Sequence, residues 1–404
     1  MNYRKAIRNS YSIINPNQVS YMIFYVTNRC NFRCNFCFYS AEIEKGLKPN
    51  EMTVEEIRKF STTIGPLAQL SMTGGETFIR KEFPEIAGIM VDATDARWVT
   101  IPTNASLTNK MVKFLEEILP RFPDTYFRLT FSIEGVGEDH DNLRSMPGSY
   151  KKIQKSYNVI SPLRAKYPNL VLDCNSVFTS SSEIYLLSAL KTINKDFKFD
   201  NMSVTYARGV IKDNSLKNVS KNRYVEINKF LEEREKNKEK RFLYPLWRGV
   251  NSVSRENLMR TVFDEEFVTS CVAGRKLLVV SETGEVQPCE IVLLNDFLCC
   301  FDGSFGVNTN YSKLICWVFL NERPLVRVHG PARASPITPE IKEHDLATKR
   351  RQLHQVAKDF LTNDLWCDTT NLKVLHFKEI TFDFVAINCI AVVNHVTEVG
   401  SDLL

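Results

Sequence analysis

From residue 20 to about 206 the chain alternates short apolar runs with longer amphipathic segments. The apolar runs are YMIFYVT (21–27), LAQLSMT (67–73), WVTIPT (98–103), YFRLTFSI (126–133), LVLDCNSVF (170–178) and FDNMSVTY (199–206). All have strand length, and several are almost continuously apolar, which predicts parallel strands covered on both faces. Helical spacing falls between them, in TVEEIRKFSTTI, EFPEIAGIMVDA, TNKMVKFLEEIL, SYKKIQKSYNVI and SEIYLLSAL. The first of these opens with Thr53 and Glu56 at capping-box spacing, so that each side chain closes an N–H of the other residue. Six strand-then-helix repeats predict an α/β fold with a right-handed βα array, either an open doubly wound sheet or a partial barrel.

After residue 209 the rhythm breaks. The mixed-charge run EEREKNKEKR (232–241) predicts a solvated helix continuing from near Tyr224, with a flexible linker as the alternative. RKLLVVSETGEVQPCEI (275–291) reads as two strands joined at Thr283-Gly284, a hairpin outside the repeating array. Farther on, a helix around 346–361 and the strand-like ITFDFVAINCIAVVN carry no assignable chemistry. The expected division is a lead-in (1–19), the βα array (20–209), a charged helical insert or linker (210–265), the hairpin region (266–292) and a C-terminal region of unknown role (293–404).

Composition narrows the function classes. With 404 residues, 44% apolar and 25% charged, the chain can bury a large globular core. Its net charge of +5 includes no basic run interleaved with aromatics, so no nucleic-acid partner is expected. The N-terminus lacks an apolar signal core and no run of 18 apolar residues follows, which predicts a soluble cytoplasmic protein with no membrane partner. Eleven cysteines without an export signal point to metal or catalytic use rather than to disulfides.

Three of those cysteines, Cys30, Cys34 and Cys37, form C-x3-C-x2-C directly after the first predicted strand. The carboxyl ends of strands are where barrels and open α/β sheets hold their active sites. Three thiolates can hold three irons of a [4Fe–4S] cluster and leave the fourth iron open for chemistry. A structural zinc site wants a fourth Cys or His at finger spacing, yet the first histidine is His140. A ferredoxin-like carrier would supply four cysteines, and plain core packing does not call for three thiols in eight positions at a strand end.

With the aromatic Phe36 before the third cysteine, and a βα array around it, this motif resembles the signature of the radical S-adenosylmethionine (SAM) enzymes. The resemblance implies a partial (β/α)6 TIM-type barrel, with a smaller C-terminal region containing the β-hairpin. It also implies a [4Fe–4S] cluster on Cys30, Cys34 and Cys37, with SAM bound through its amino and carboxylate groups at the open iron. Reductive cleavage of SAM would then give a 5′-deoxyadenosyl radical that takes a hydrogen from the substrate, while the protein orients and shields the reaction. An electron donor such as flavodoxin or ferredoxin follows from the same resemblance.

Further stretches fall where that family would place them. TGGETF after the second strand matches its GGE motif through Gly74, Gly75 and Glu76; a diglycine permits close backbone approach and a carboxylate suits the SAM ammonium. IPTNASL resembles a TNG-like segment that brings Asn104 near SAM, with Ala105 where glycine is usual. FSIEGVGEDHDNLRSMPGSY resembles a segment of the subgroup carrying a SPASM or Twitch extension. By that resemblance Ser132 and Glu134 approach the ribose or methionine part, Arg144 takes the carboxylate, and His140 and Asp141 stabilise the loop. TYARG after the sixth strand resembles a Y-x-R-G-like ending, and Tyr39 with this strand end would flank the adenine. Plainer alternatives stand beside these: a helix-capping loop for Asn104, a surface ion pair for Arg144 and aromatic packing for the tyrosines.

Cys271, Gly284 and Cys289 are spaced C-x12-G-x4-C, like the hairpin that opens a SPASM or Twitch domain, which implies an auxiliary iron–sulfur cluster. The cysteine series of a full SPASM domain does not follow: Cys299, Cys300, Cys316, Cys367 and Cys389 have other spacings. The site is a reduced Twitch-like one, or the region is divergent, truncated, replaced or altered by a reading-frame shift beyond about residue 292.

The expectation is therefore a radical SAM enzyme. Peptide and protein maturases are frequent among relatives of this architecture, so a peptide or protein substrate leads. A small molecule or sugar is the runner-up, and the residues before Tyr21, too few for a separate leader-binding domain, slightly weaken the peptide reading. A non-enzymatic iron–sulfur carrier or scaffold is the contrasting class, disfavoured by the GGE motif. No residue can be assigned from sequence as the acid or base that serves the substrate.

Overall fold

The computed structural model describes residues 9–290, apart from 10, 11, 14, 16, 17, 46–49, 237–243, 267 and 269–272. Its strands are β1 (Tyr21–Thr27), β2 (Gln69–Gly74), β3 (Trp98–Thr103), β4 (Tyr126–Ser132), β5 (Leu170–Phe178), β6 (Asn201–Tyr206), β7 (Leu277–Val280) and β8 (Val286–Gln287). All lie in one sheet of order β6-β5-β4-β3-β2-β1-β7-β8. From β1 to β6 each strand pairs in parallel with its successor. The order never reverses, so this is the arrangement of a barrel rather than of a doubly wound sheet. The sheet stays open, with β6 and β8 as its edges. The fold is thus a partial TIM-type barrel with a C-terminal antiparallel hairpin.

In-register pairing sorts the side chains into two faces. Phe24, Met72, Ile101, Leu129, Phe131 and Leu172 lie on one face and share a core with Ile86, Met90, Leu115 and Ile153 of the covering helices. On the other, Ser71 neighbours Thr100, Thr130 neighbours Asp173, Ser132 neighbours Asn175, and Asn175 neighbours Ser203. Several strands were expected to be covered on both faces; β1 after Tyr21 and the first four residues of β2 are buried throughout, but β3 and β4 are not. β3 and β4 alternate strictly between buried and half-buried positions, because helices cover only the outer face and the concave face is open. At the β1–β7 end that face is apolar, with Ile23, Tyr25, Leu277 and Val279 packed together.

The expected capping box forms: Thr53 Oγ1 accepts from the Glu56 N–H at 3.2 Å, and the Glu56 carboxylate accepts from the Thr53 N–H at 2.8 Å. The charged segment contains a helix at Lys221–Lys236, and a second helix spans Tyr244–Phe263. Arg255 and Glu235 join the two at 3.1 Å. The hairpin differs from expectation in its place. It was read as lying outside the array, but β7 continues the parallel sheet on the free edge of β1, satisfying backbone groups that an edge strand would leave open. The helix around 346–361, the strand-like stretch after it and the whole 293–404 region lie outside the described residues. Among the described residues, no helix is long and apolar enough to cross a membrane.

Candidate active site

The cysteine loop leaves the carboxyl end of β1 and is pinned there by the diglycine that ends β2. The Gly75 N–H donates to the Thr27 carbonyl and the Glu76 N–H to the Arg29 carbonyl, both at 2.8 Å. A Cβ on Gly74 would stand 2.1 Å from the Thr27 oxygen, and one on Gly75 would stand 2.2 Å from the Arg29 oxygen. Gly74 also has φ +149, a backbone setting that other residues rarely adopt. Only glycine allows the two chain segments to approach this closely. On the other side, Phe78 anchors the turn by meeting Phe83 and Phe114 edge-on at 5.4 and 5.5 Å.

Cys30, Cys34 and Cys37 are half-buried thiols. Burial pushes Cys30 up to about 11 and Cys34 up to about 12, and raises Cys37 as well. The Arg144 cation pulls all three the other way. Such thiols hold their protons until a metal displaces them. Among the described residues, no group of three His, Cys, Asp or Glu side chains closes on a single metal-ion position. Three thiols near enough to feel one another's charge suit a cluster, which takes one thiolate per iron.

Glu76 is fully buried. Its carboxylate accepts from the Asn104 N–H at 2.7 Å and from the Thr103 hydroxyl at 2.9 Å. Burial nevertheless holds its carboxyl up at about 7. Asn104 reaches the cysteine loop, donating through Nδ2 to Asn31 Oδ1 at 2.9 Å, and its Oδ1 accepts from the Ser106 N–H at 3.0 Å. Ala105 adopts φ 55, the left-handed turn for which glycine would be the unstrained choice.

Ser132 ends β4 half-buried on the concave face. Beyond it, Glu134 and Arg144 form a buried two-pronged ion pair, one prong at 2.9 Å, and the guanidinium lies 5.7 Å from the Phe36 ring centroid. The pair therefore sets a cation beside the cysteines while holding it in a fixed orientation. His140 Nδ1 accepts from the Glu134 N–H at 3.1 Å, and burial pushes the imidazole down to about 4, so it stays neutral. Asp141 accepts from the Gly148 N–H at 2.6 Å and from the Tyr150 N–H and Ser149 hydroxyl at 2.8 Å, tying the loop to the start of the helix Ser149–Ile160.

Tyr39 packs on Tyr25 with centroids 4.5 Å apart and donates its hydroxyl to Glu282. Cys289 is buried after β8, and Cys271 lies outside the described residues. Sequence reasoning missed Tyr25, Glu51, Glu282 and Glu290. Glu51 binds Arg29 at 2.8 Å beneath the cysteine loop, and Glu290 binds Tyr25 at 2.8 Å. The hairpin motif drew attention to cysteines and a glycine, and no spacing signal marked the carboxylates between and beyond them.

A cysteine loop at the carboxyl edge of a half-open βα barrel, pinned by a diglycine and faced by a buried arginine, defines a cluster-dependent barrel domain. Residues 24–163 match the family model of the radical SAM superfamily, so this stretch is a radical SAM domain, the domain of enzymes that use a [4Fe–4S] cluster and SAM. Curated relatives include GTP 3′,8-cyclase of Clostridium botulinum, 28% identical over 141 residues, which is 34% of this chain and 42% of that protein. GTP 3′,8-cyclase of Haemophilus influenzae is 29% identical over 89 residues, 22% of this chain and 26% of that one. The chain thus spans less than half the length of these relatives. Among solved structures, Streptococcus suis SuiB bound to S-adenosylmethionine aligns with a TM-score of 0.49 at 15% identity, covering 78% of this chain and 69% of SuiB. The protein anSMEcpe with bound AdoMet and the Cp18Cys peptide aligns at 0.44 with 19% identity, covering 68% and 75%.

Proposed function

We propose that this protein cleaves SAM reductively at a [4Fe–4S] cluster and abstracts a hydrogen from a peptide or protein substrate. The observation that carries the reading is the meeting of the Cys30–Cys37 loop, Gly74–Glu76, Asn104 and the Glu134–Arg144 pair at one edge of the sheet. Cys30, Cys34 and Cys37 hold the cluster; when bound, cluster and SAM supply the radical that takes the substrate hydrogen. Glu76 offers its carboxylate to the SAM ammonium. Asn104, Ser132, Glu134 and Arg144 shape the rest of the SAM site, and Tyr39 borders the adenine. A reducing cytoplasm and a donor of the flavodoxin or ferredoxin kind suit this chemistry.

The substrate half of the proposal rests on the charges near the loop and on the concave face. Arg29 is paired with Glu51 at 2.8 Å, Arg128 with Asp173 at 2.9 Å, Arg144 and Arg208 with Glu134 and Glu290, and Lys212 with Glu44 at 2.5 Å. Arg33 folds onto the Cys30 and Phe32 carbonyls. A triphosphate would need several of these cations free. The concave face instead offers neutral donors and acceptors: Asn175 Nδ2 donates to Thr205 Oγ1 at 3.2 Å, and Ser203 Oγ donates to Asn175 Oδ1 at 2.9 Å. These groups are paired with one another, but neutral hydrogen bonds are exchanged for those of a peptide amide at a lower cost than ion pairs are broken. A nucleotide substrate is the second reading, favoured by the names of the curated relatives.

The test is anaerobic reconstitution with iron and sulfide, followed by SAM and dithionite. Release of 5′-deoxyadenosine is expected, and its absence from cluster-loaded protein overturns the reading. Deuterium should pass from a deuterated peptide digest into 5′-deoxyadenosine, whereas transfer from deuterated GTP alone would move the substrate to the nucleotide class. Cys34→Ala should abolish both the cluster absorbance and the product. About four irons per chain would mark one cubane cluster and about eight would mark two; Cys289→Ala lowers the count only in the second case.

A further inference from the structure

The two residues directly after the third cysteine are gripped from the hairpin. Tyr39 donates its hydroxyl to Glu282, which stands in the turn between β7 and β8 and is 4% exposed. Phe38 lies under the Arg208 guanidinium, 5.1 Å from its ring centroid. Arg208 is bonded to Glu290, whose other oxygen accepts from the Tyr25 hydroxyl at 2.8 Å. The Tyr25 ring packs in turn on Tyr39. Phe38, Arg208, Glu290, Tyr25 and Tyr39 form a circuit closed by the Phe38–Tyr39 peptide bond, and Glu282 adds a second hairpin carboxylate to it at Tyr39. The Met52 N–H fixes the Glu282 backbone by donating to its carbonyl at 2.7 Å. Cys37 is tied into the same turn, with its carbonyl accepting from the Ser40 N–H at 3.2 Å. Cys30 is held by different contacts, against Gly75 at the end of β2.

We propose that Glu282 and Glu290 are positioning residues for Cys37, so that the hairpin braces the iron this cysteine would hold, whether or not the hairpin carries a cluster of its own. The proposal rests on the cluster reading given above. A hydroxyl donating to a buried carboxylate is a strong bond, and removing one partner leaves the other buried and unsatisfied. Outer partners of this kind orient ligands and tune the metal they hold.

In reconstituted full-length protein, Glu282→Ala and Tyr39→Phe should each speed iron loss to a chelator by about tenfold and alter the electron paramagnetic resonance spectrum of the reduced cluster. The double variant should be no worse than either single one. Glu282→Gln should fall between wild type and Glu282→Ala, and Thr283→Ala, in the same turn but exposed, should match wild type. If Glu282→Ala lowers only the melting temperature and leaves the spectrum and iron loss unchanged, the proposal is overturned. A second measurement needs no iron. In the apoprotein, Glu282→Ala should let iodoacetamide alkylate Cys37 about tenfold faster while Cys30 keeps its wild-type rate. Equal acceleration at both cysteines, or at neither, also overturns the proposal. Wild type that takes up no iron would sink the cluster reading alone.

Discussion

Neighbouring residues along β4 meet opposite fates. Phe127, Leu129 and Phe131 are buried under the helices, while Arg128, Thr130 and Ser132 face the open concave side half-buried. The same division runs through β3 and across to β6. The covered face gains stability from apolar area removed from water. The open face has no such layer to pack against, and its polar side chains pair with one another, Arg128 with Asp173 and Ser203 with Asn175, both at 2.9 Å. Substitutions on the two faces should therefore fail in different assays.

The largest stability effect is expected at Phe131, which is fully buried with Phe199 at 5.4 Å and Tyr157 at 6.2 Å. Phe131→Ala should cost about 3–5 kcal/mol in urea unfolding, while the molecules that remain folded still form 5′-deoxyadenosine. A loss of activity without a loss of stability there would break the contrast between the faces.

Glu76, at the rim where the faces meet, links pH to stability. Its carboxyl is raised from 4.5 to about 7 by burial, so the folded chain holds this proton more tightly than the unfolded one. Its contribution is full below pH 4.5 and is lost as pH rises through about 7, a fall of about 3 kcal/mol. Urea unfolding of apoprotein across that range should show this slope, and Glu76→Gln should flatten it.

Asn175 tests the open face. Asn175→Ala removes two hydrogen bonds between concave side chains and should cost only about 1 kcal/mol of stability. It should lower substrate-dependent turnover more than it lowers SAM cleavage in the absence of substrate. Equal losses in both would show that Asn175 serves the fold. The smallest effect is at Ala105, where φ 55 is strained for a residue with a Cβ. Ala105→Gly should raise stability by up to about 1 kcal/mol in thermal unfolding.

Much of this architecture was legible in the sequence. β1, β3 and β5 match their apolar runs residue for residue, and the Thr53 capping box forms at its predicted place. Length, periodicity and caps are local properties, and local hydrogen bonding enforces them. The cysteine and diglycine motifs were legible for the same reason, since each is a short stretch with its own spacing. The partner of Arg144 was not. Glu134 and Arg144 were both assigned to SAM, and the structure joins them in an ion pair inside the chain. Their ten-residue separation has no helical or strand period to announce a contact. Glu282 and Tyr39 lie 243 positions apart and meet only because β7 docks on β1.

By itself, then, the sequence determined the order of the strands and helices, the loops that carry thiols and glycines, and the chemistry those residue types favour. These follow from backbone periodicity and side-chain identity, which act over a few residues. Tertiary structure alone decided which sheet face was covered, which carboxylate took each arginine, and that the hairpin would lie against the cysteine loop. Those outcomes depend on which surfaces are buried together, and burial is settled only when the whole sheet has formed.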